Sequence, residues 1–222
     1  NLFLLIILSA IWGSAFIAIK ISVETTHPVT VASLRLIIGS LFLFSYFKLR
    51  NHKINLSINL LILIFIIGLI GNFIPFYLIS WSEQYIKSNT AGLLLSIAPI
   101  FALLFSHFLT KDDKFSFRKF ISILVGFIGV LFIIGFNTLI NISSLQTGNF
   151  LPKLVIMIAA LGYVISSILA YNIKKISTIA LTTLVTISAA LISIPFMIMA
   201  EYNNPSSFNL NSISSLIYLG IF

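Results

Sequence analysis

Four long stretches of this chain contain no charged side chain, and they constrain its fold more than any other feature. The uncharged runs lie between Lys53 and Glu83, Lys87 and Lys111, Lys119 and Lys153, and Lys175 and Glu201. Each is longer than the roughly 20 residues that an α-helix needs to cross the hydrocarbon core of a bilayer. The chain is therefore expected to be a multi-pass helical membrane protein.

The composition agrees with a membrane-embedded chain. Hydrophobic residues make up 59% of the sequence, charged residues make up 8%, and the mean hydropathy is +1.13. A soluble domain carries about 25% charged residues. The apolar runs are continuous, whereas a transmembrane β-barrel alternates polar and apolar residues within segments of roughly 10 residues. An all-α polytopic fold is therefore predicted, because a helix pairs its own backbone groups within lipid.

About eight transmembrane helices are expected from the length criterion of roughly 20 residues. They are predicted at about 2–23, 28–48, 57–81, 89–110, 117–136, 151–172 and 178–200, with an eighth that opens near Ser212. The chain begins with Asn1 rather than methionine and stops at Phe222, inside the eighth predicted helix. We expect both ends to be cut.

Basic residues are concentrated in alternate connections between the predicted helices, namely those after the second, fourth and sixth. The opposite connections carry Lys87 and Lys153 together with Glu24, Glu83 and Glu201. Because short cytoplasmic loops are enriched in lysine and arginine, a cytoplasmic amino terminus is predicted. The net charge of +8 then comes mostly from the basic residues of the predicted cytoplasmic loops. A nucleic-acid partner, which requires a solvated basic face, is not expected.

The predicted helices divide into two units. Five of them, over 1–136, precede an external connection at 137–150, and the others occupy 151–222. An odd number of spans inverts whatever follows, so a second unit that repeats the first enters the membrane from the opposite side. The count of spans is compatible with an inverted repeat but does not by itself establish one.

Several segments resemble a known family. The first helix, SAIWGSAFIAIK, and the following PVTVASLRLIIG look like the opening of an EamA-type transporter of the drug/metabolite transporter superfamily. NTAGLLLSIAPIFALLFSHFL resembles its fourth helix, and KDDKFSFRKFISILVGFIGVLFI resembles the loop and fifth helix that close the unit. ALGYVISSILAYNIKK and SLIYLGIF resemble, more weakly, the first and third helices of a second unit.

This resemblance implies an architecture and a class of activity. The family has ten helices in two inverted five-helix units. The resemblance therefore implies two inverted five-helix repeats here, the second truncated and lacking the last two to three helices. Amino acids and related metabolites are common cargo in the family, and export is the usual direction. These properties are implied by the resemblance alone.

Two cations, Lys20 and Arg35, lie within predicted helices. An ionisable residue in the membrane is a functional-site candidate because it is costly to bury there. Lys20 is four residues from Glu24, so it either reaches the interface beside that carboxylate or faces inward. Arg35 is about 10 Å inward from Pro28 at 1.5 Å per residue. A guanidinium holds carboxylates or phosphates but does not cycle a proton, which predicts an anion anchor or, alternatively, a lock between helices.

Polar and aromatic residues at mid-depth form a second layer of candidates. Trp12, Asn72, Tyr77 and Tyr163 are expected to shape a substrate cavity with Arg35 and Lys20. Asn72 and Pro75 are predicted to interrupt the third helix, and Pro99 the fourth. Such interruptions are tolerated where they line a cavity or are paired by neighbours.

No enzyme motif is recognisable. The sequence shows no phosphate loop, nucleophile elbow or dinucleotide fingerprint, and its three histidines are scattered without paired ligands for a metal. No catalytic residue, metal or cofactor is therefore expected. No aspartate or glutamate is placed deep in a predicted helix, so a proton-cycling carboxylate has no candidate.

The predicted function is transport of a small organic metabolite, such as an amino acid or another carboxylate-bearing compound. We expect an exporter that works by alternating access in the inner (plasma) membrane, with the lipid bilayer as its other partner. A homodimer is left open. The competing hypotheses are a non-transporting receptor or assembly subunit and a flippase for a lipid-linked substrate.

Overall fold

The computed structural model describes residues 2–49, 56–110, 115–134, 150–173 and 176–222. Within these ranges the regular structure is helical and contains no strand, which confirms the all-α prediction. The predicted external connection at 137–150 lies almost entirely outside the described residues.

Ten α-helices and one π-helical turn follow one another along the described chain. They are α1 (Leu2–Val23), α2 (Pro28–Leu49), α3 (Ile58–Gly68), a π turn (Leu69–Phe73), α4 (Ile74–Glu83), α5 (Ser88–Leu95), α6 (Ala98–Leu109), α7 (Phe117–Ile134), α8 (Phe150–Tyr171), α9 (Thr178–Asn203) and α10 (Leu210–Ile221).

Six segments of the described chain are long and apolar enough to cross a membrane. They are Leu2–Val23, Pro28–Lys48, Ile58–Glu83, Ser88–Leu109, Phe150–Tyr171 and Thr178–Asn203. The multi-pass prediction is thereby confirmed, and these bounds agree with the sequence within a few residues. α7 is a further helix of 18 residues and α10 one of 12, so the count of eight transmembrane helices stays a prediction.

Both predicted interruptions are present. α3 continues into the π turn, which contains Asn72, and Pro75 then lies in the first turn of α4. The fourth span breaks at Ser96, and Pro99 lies in the first turn of α6. A proline has no N–H to donate, so it is accommodated where a helix starts anew. π turns inside α-helices are frequent at functional sites.

The helices pack in three main pairs that join the two halves of the chain. α2 lies along α9 with the most extensive contacts, α4 lies along α8, and α1 lies along α10. A buried apolar cluster connects α1, α2, α4, α8 and α10 and includes Ala18, Val31, Ile79, Ala159 and Leu216. α7 contacts α5 and α6 at the edge of the bundle. The core therefore lies between the two predicted units.

Close packing of α8 against the third span depends on a glycine. A β-carbon on Gly162 would lie 2.6 Å from the carbonyl oxygen of Ile70 and 3.1 Å from Cγ of Pro75. Only a residue without a side chain fits this approach. α8 is thereby held directly against the π turn.

The two ends of the bundle differ in charge, and we name them accordingly. The acidic end is where α4 and α9 stop and α2 and α10 start, and it carries Glu24, Glu83 and Glu201. The basic end is opposite, where α2 and α8 stop and α3 and α9 start, and it carries Lys48 of α2 and Arg118 and Lys119 of α7.

One expectation about the acidic end is wrong. The sequence was interpreted as placing Glu83 in a connection, with no carboxylate inside a helix. Glu83 is instead the last residue of α4 and is 0% exposed. Glu201 likewise lies within α9, not after it. α4 and α9 thus extend further than the charge pattern indicated, and of the two carboxylates it is Glu201 that receives several hydrogen bonds.

Candidate functional site

The acidic end of the bundle is closed by hydrogen bonds between the two halves of the chain. The Thr30 hydroxyl on α2 donates to the Glu201 carboxylate on α9. Ser206 donates to the same carboxylate from its backbone N–H at 2.7 Å and from its hydroxyl at 2.6 Å. The His27 N–H donates to Ser206 Oγ at 2.8 Å, and the Ser207 N–H donates to the Thr25 carbonyl at 2.9 Å.

A cavity of about 810 Å³ occupies the other half of the same interface. Its walls come from α2, the third span, the end of α8, the beginning of α9 and the end of α10. It reaches Ile173 and Ile176, which flank the connection from α8 to α9, and therefore extends to the basic end. Ligand cavities usually measure roughly 300–1,000 Å³, so the space suits a small metabolite.

Arg35 lies at the deep end of this cavity, on α2. Its Cζ atom lies 4.0 Å from the centroid of the Phe76 ring on α4. Within the described part of the chain, no carboxylate forms an ion pair with Arg35. The contact with Phe76 is a cation–π interaction worth about 0.5–2 kcal/mol. It covers one face of the guanidinium and does not neutralise its charge.

Hydroxyl groups follow α9 from the basic end towards Arg35. Thr178, Thr182 and Thr186 are spaced four residues apart, so they share one face of the helix, and all three line the cavity. The two nearer the basic end are exposed, while Thr186 is half-buried. Ser167 on α8 adds a further hydroxyl. The cavity therefore becomes less exposed with depth and ends at a cation.

Two more of the predicted site residues belong to this arrangement. Asn72 lines the cavity from the π turn. Tyr163 does not line it, but its ring meets Phe76 edge to face at 6.3 Å between centroids. Tyr163 also interacts electrostatically with Arg35. Arg35, Asn72 and Tyr163 are thus brought together around Phe76.

The other three predicted residues are placed outside the cavity. Trp12 is 67% exposed on the surface of α1. Tyr77 follows Phe76 but does not line the cavity. Lys20 lies at the acidic end, where its ammonium donates to the backbone carbonyls of Glu83 and Ile86. Lys20 therefore faces inward but bonds carbonyls of α4 and its following turn, not Glu24.

Several residues of the site were missed by the sequence interpretation. Phe76 carries no polar group to mark it, and only its contact with Arg35 reveals it. The threonines at 178, 182 and 186 had a readable signal, because their four-residue spacing defines a hydroxyl face on an otherwise apolar helix. Glu83 was missed because it was assigned to a connection.

Comparisons with known proteins bear on the whole chain. Residues 1–135 match the model of the EamA-like transporter family, which is more than half of the 222 residues. An uncharacterised transporter of Archaeoglobus fulgidus is 27% identical over 95% of this chain and 71% of its own length. The uncharacterised transporter YoaV of Bacillus subtilis is 24% identical over 98% of this chain and 73% of its own length.

A further relative has a different kind of name. Protein PagO of Salmonella typhimurium is 25% identical over 99% of this chain and 71% of its own length. No solved structure gives a significant match. The matches to named transporters agree with the membrane-spanning helices and with the cavity between the two halves. The chain belongs to the EamA-like transporter family.

Proposed function

We propose that the protein transports a small carboxylate-bearing metabolite, with Arg35 as the anchor for the anionic group. The observation that carries this proposal is a guanidinium at the deep end of a cavity of about 810 Å³, with no ion-pair partner among the described residues. A charge in this position is costly. A bound carboxylate would offset that cost while it is in the site.

The geometry of the guanidinium suits this role. Its N–H donors point outward in the plane of the group and match a carboxylate in bidentate fashion. Phe76 occupies one face, so it restrains the plane and leaves the edges to the ligand. Asn72 and the α9 threonines supply uncharged polar contacts along the wall. Phe42 and Leu43 supply an apolar surface for the remainder of the substrate.

Alternating access is the second part of the proposal. The helix contacts are reciprocal, since α1 with α10 and α4 with α8 exchange partners when the two halves are interchanged, and α2 with α9 maps onto itself. This pattern supports two inverted repeats that rock around a central site. The closed acidic end and the cavity at the basic end correspond to one of the two states.

The direction of transport that we propose, export, is based on the charge of the loops. Lysine- and arginine-rich connections favour the cytoplasmic side, so we place the basic end and the amino terminus in the cytoplasm of a cell with this protein in its plasma membrane. The cavity then opens to the cytoplasm and loads substrate for export. In the receptor or assembly-subunit alternative, Arg35 would only hold α2 against α4.

The proposal is tested by flux measurements on the full-length protein in liposomes. Radiolabelled amino acids and 2-oxo acids are offered to wild type, Arg35→Gln and Arg118→Gln, the last being an exposed arginine of α7. Loss of a charge-assisted bidentate contact, about 1.5–3 kcal/mol, predicts that Arg35→Gln lowers flux at subsaturating substrate about 10- to 100-fold. Arg118→Gln should match wild type.

Three outcomes contradict the proposal. Equal flux per folded molecule in wild type and Arg35→Gln would make Arg35 structural. Absence of flux for every compound in all variants would favour a receptor or assembly subunit. Flux of a lipid-linked substrate, without flux of soluble metabolites, would favour the flippase.

A further inference from the structure

A second buried ionisable group lies away from the cavity, at the acidic end. Glu83 is fully buried at the end of α4. Its Oε1 atom has no hydrogen-bond partner among the described residues. Its Oε2 atom lies 3.4 Å from the hydroxyl of Ser88. An ionised carboxylate with so few donors would be costly to bury.

The hydroxyl of Ser88 has more acceptors than it has hydrogens. Ser88 Oγ lies 3.2 Å from the Phe16 carbonyl and 3.4 Å from Glu83 Oε2. A serine hydroxyl carries a single hydrogen and two lone pairs. If Glu83 carries a proton on Oε2, Ser88 donates to the Phe16 carbonyl and accepts from the carboxylic acid, so each of these two contacts has one hydrogen.

Lys20 is positioned in a way that agrees with a neutral Glu83. Its ammonium donates to the backbone carbonyls of Glu83 and Ile86, the latter at 3.2 Å. Within the described chain it forms no ion pair with the Glu83 carboxylate, although the two groups interact electrostatically. An ammonium next to an ionised carboxylate gains most by bonding it directly. The carbonyl contacts are those expected beside a protonated acid.

The other charged groups near this end have their own environments. His27, at the start of α2, accepts the N–H of Val29 on its ring nitrogen. Lys87, before α5, is exposed, whereas Lys153 of α8 is buried and has an interaction partner. Glu201 of α9 is bonded by Thr30 and Ser206. Among the described residues, Lys20 interacts electrostatically with Glu83.

Unpaired buried polar atoms of the described chain are confined to the acidic end. They are Oγ1 of Thr25, Oγ1 of Thr26, Oγ of Ser82 and Oε1 of Glu83. Leaving a buried polar atom without a partner costs free energy. Opening this end would hydrate these atoms. Their burial therefore makes the free energy of closing this end less favourable.

We propose that Glu83 is a proton-binding site that controls the acidic end of the transporter. A proton taken from the solvent on the acidic side neutralises the carboxylate, and the closed end then buries a neutral acid. Opening hydrates the group and returns the proton to the same side. Low pH on the acidic side therefore favours the closed end, and high pH favours the open one. This inference rests on the proposed alternating access.

Spin-label distances across the acidic end test the proposal directly. The chain has no cysteine, so Asn89→Cys and Asn204→Cys, both exposed and from opposite halves, give one labelled pair in full-length protein in liposomes. We expect the short-distance population to grow as the pH falls. Glu83→Gln should keep the short distance at every pH, and Glu83→Asp should retain a pH dependence. Glu24→Gln, an exposed carboxylate at the same end, should behave as wild type.

An infrared measurement keeps the test independent of how well the variants fold. The carboxylic-acid C=O band of the closed wild-type protein should lose one component in Glu83→Gln and none in Glu24→Gln. An unchanged band in Glu83→Gln, or a wild-type distance distribution that does not respond to pH, would overturn the proposal. Neither measurement uses substrate, so a failure here is distinct from an absence of metabolite flux.

Discussion

The two ends of the α2–α9 interface are built from the same pair of helices but differ in what fills the space between them. At the acidic end, the Glu201 carboxylate receives hydrogen bonds from Thr30 and Ser206. At the basic end, a cavity of about 810 Å³ separates the helices and leads to Arg35. The Glu201 carboxylate at the acidic end thus has hydrogen-bond donors. The Arg35 guanidinium has no ion-pair partner among the described residues and can bind a ligand.

The same helix interface thus forms a closed end on one side and a ligand cavity on the other. Short polar side chains and a carboxylate close the acidic end through directional bonds that water can replace. Apolar residues and hydroxyls at the basic end make few bonds across the interface, so the space stays open to a ligand. The π turn and Gly162 lie between these two regions and hold α8 against the third span.

The largest effect on this arrangement is expected at Gly162. Gly162→Ala places a β-carbon 2.6 Å from the Ile70 carbonyl oxygen, and such overpacking costs about 1–3 kcal/mol. Gly13→Ala is the matched control, since nothing lies within 4 Å of its β-carbon, and the higher helix propensity of alanine should stabilise it by up to about 1 kcal/mol. The free energy of unfolding of both variants, measured in detergent, should fall for Gly162→Ala and rise for Gly13→Ala. Equal effects would contradict the close approach.

An intermediate effect is expected when the closed end loses its carboxylate. Glu201→Ala removes the acceptor of the Thr30 and Ser206 hydrogen bonds and should weaken closure by about 1–2 kcal/mol, because water can replace part of these bonds. The labelled Asn89→Cys and Asn204→Cys pair should then show a larger population of long distances. Glu24→Ala is the control, because Glu24 is exposed. A distribution that stays short in Glu201→Ala would show that other contacts hold this end.

The smallest effect is expected at the wall of the cavity. Thr182 is exposed to the cavity, and its hydroxyl makes no hydrogen bond to another described residue. Thr182→Val should raise the substrate KM about 2- to 10-fold, as expected for one lost neutral hydrogen bond of about 0.5–1.5 kcal/mol. Thr183→Val is the control, since Thr183 is buried and does not line the cavity. Equal KM changes in the two variants would remove the α9 hydroxyls from the site.

The helices could be predicted from the sequence because the membrane imposes one rule along the whole chain. Every uncharged run of sufficient length had to form a helix, and the breaks at Asn72 and Pro99 follow from local chemistry. The position of Arg35 inside the second helix could be read in the same way. A charged residue within a membrane-spanning helix is a site candidate whichever neighbour that face of the helix contacts.

The remaining features depend on which helix faces which, and a single sequence does not carry that information. Trp12 and Tyr77 have the residue types of a binding site but are directed elsewhere. Phe76 looks like any lipid-facing aromatic until Arg35 is placed over its ring. Glu83 appeared to belong to a connection. The sequence does not show that Ser88 and Lys20, which belong to other elements, contact it.

Accessibility of a single cysteine in the cavity tests the central claim most directly. Ser167→Cys is a conservative change at an exposed cavity position in a chain without cysteine. In sealed vesicles, a membrane-impermeant maleimide should label it from the basic side, and a transported carboxylate should slow the labelling unless Arg35→Gln is also present. Labelling only from the acidic side, or labelling that no tested carboxylate slows, would contradict a cavity that opens at the basic end and binds anions at Arg35.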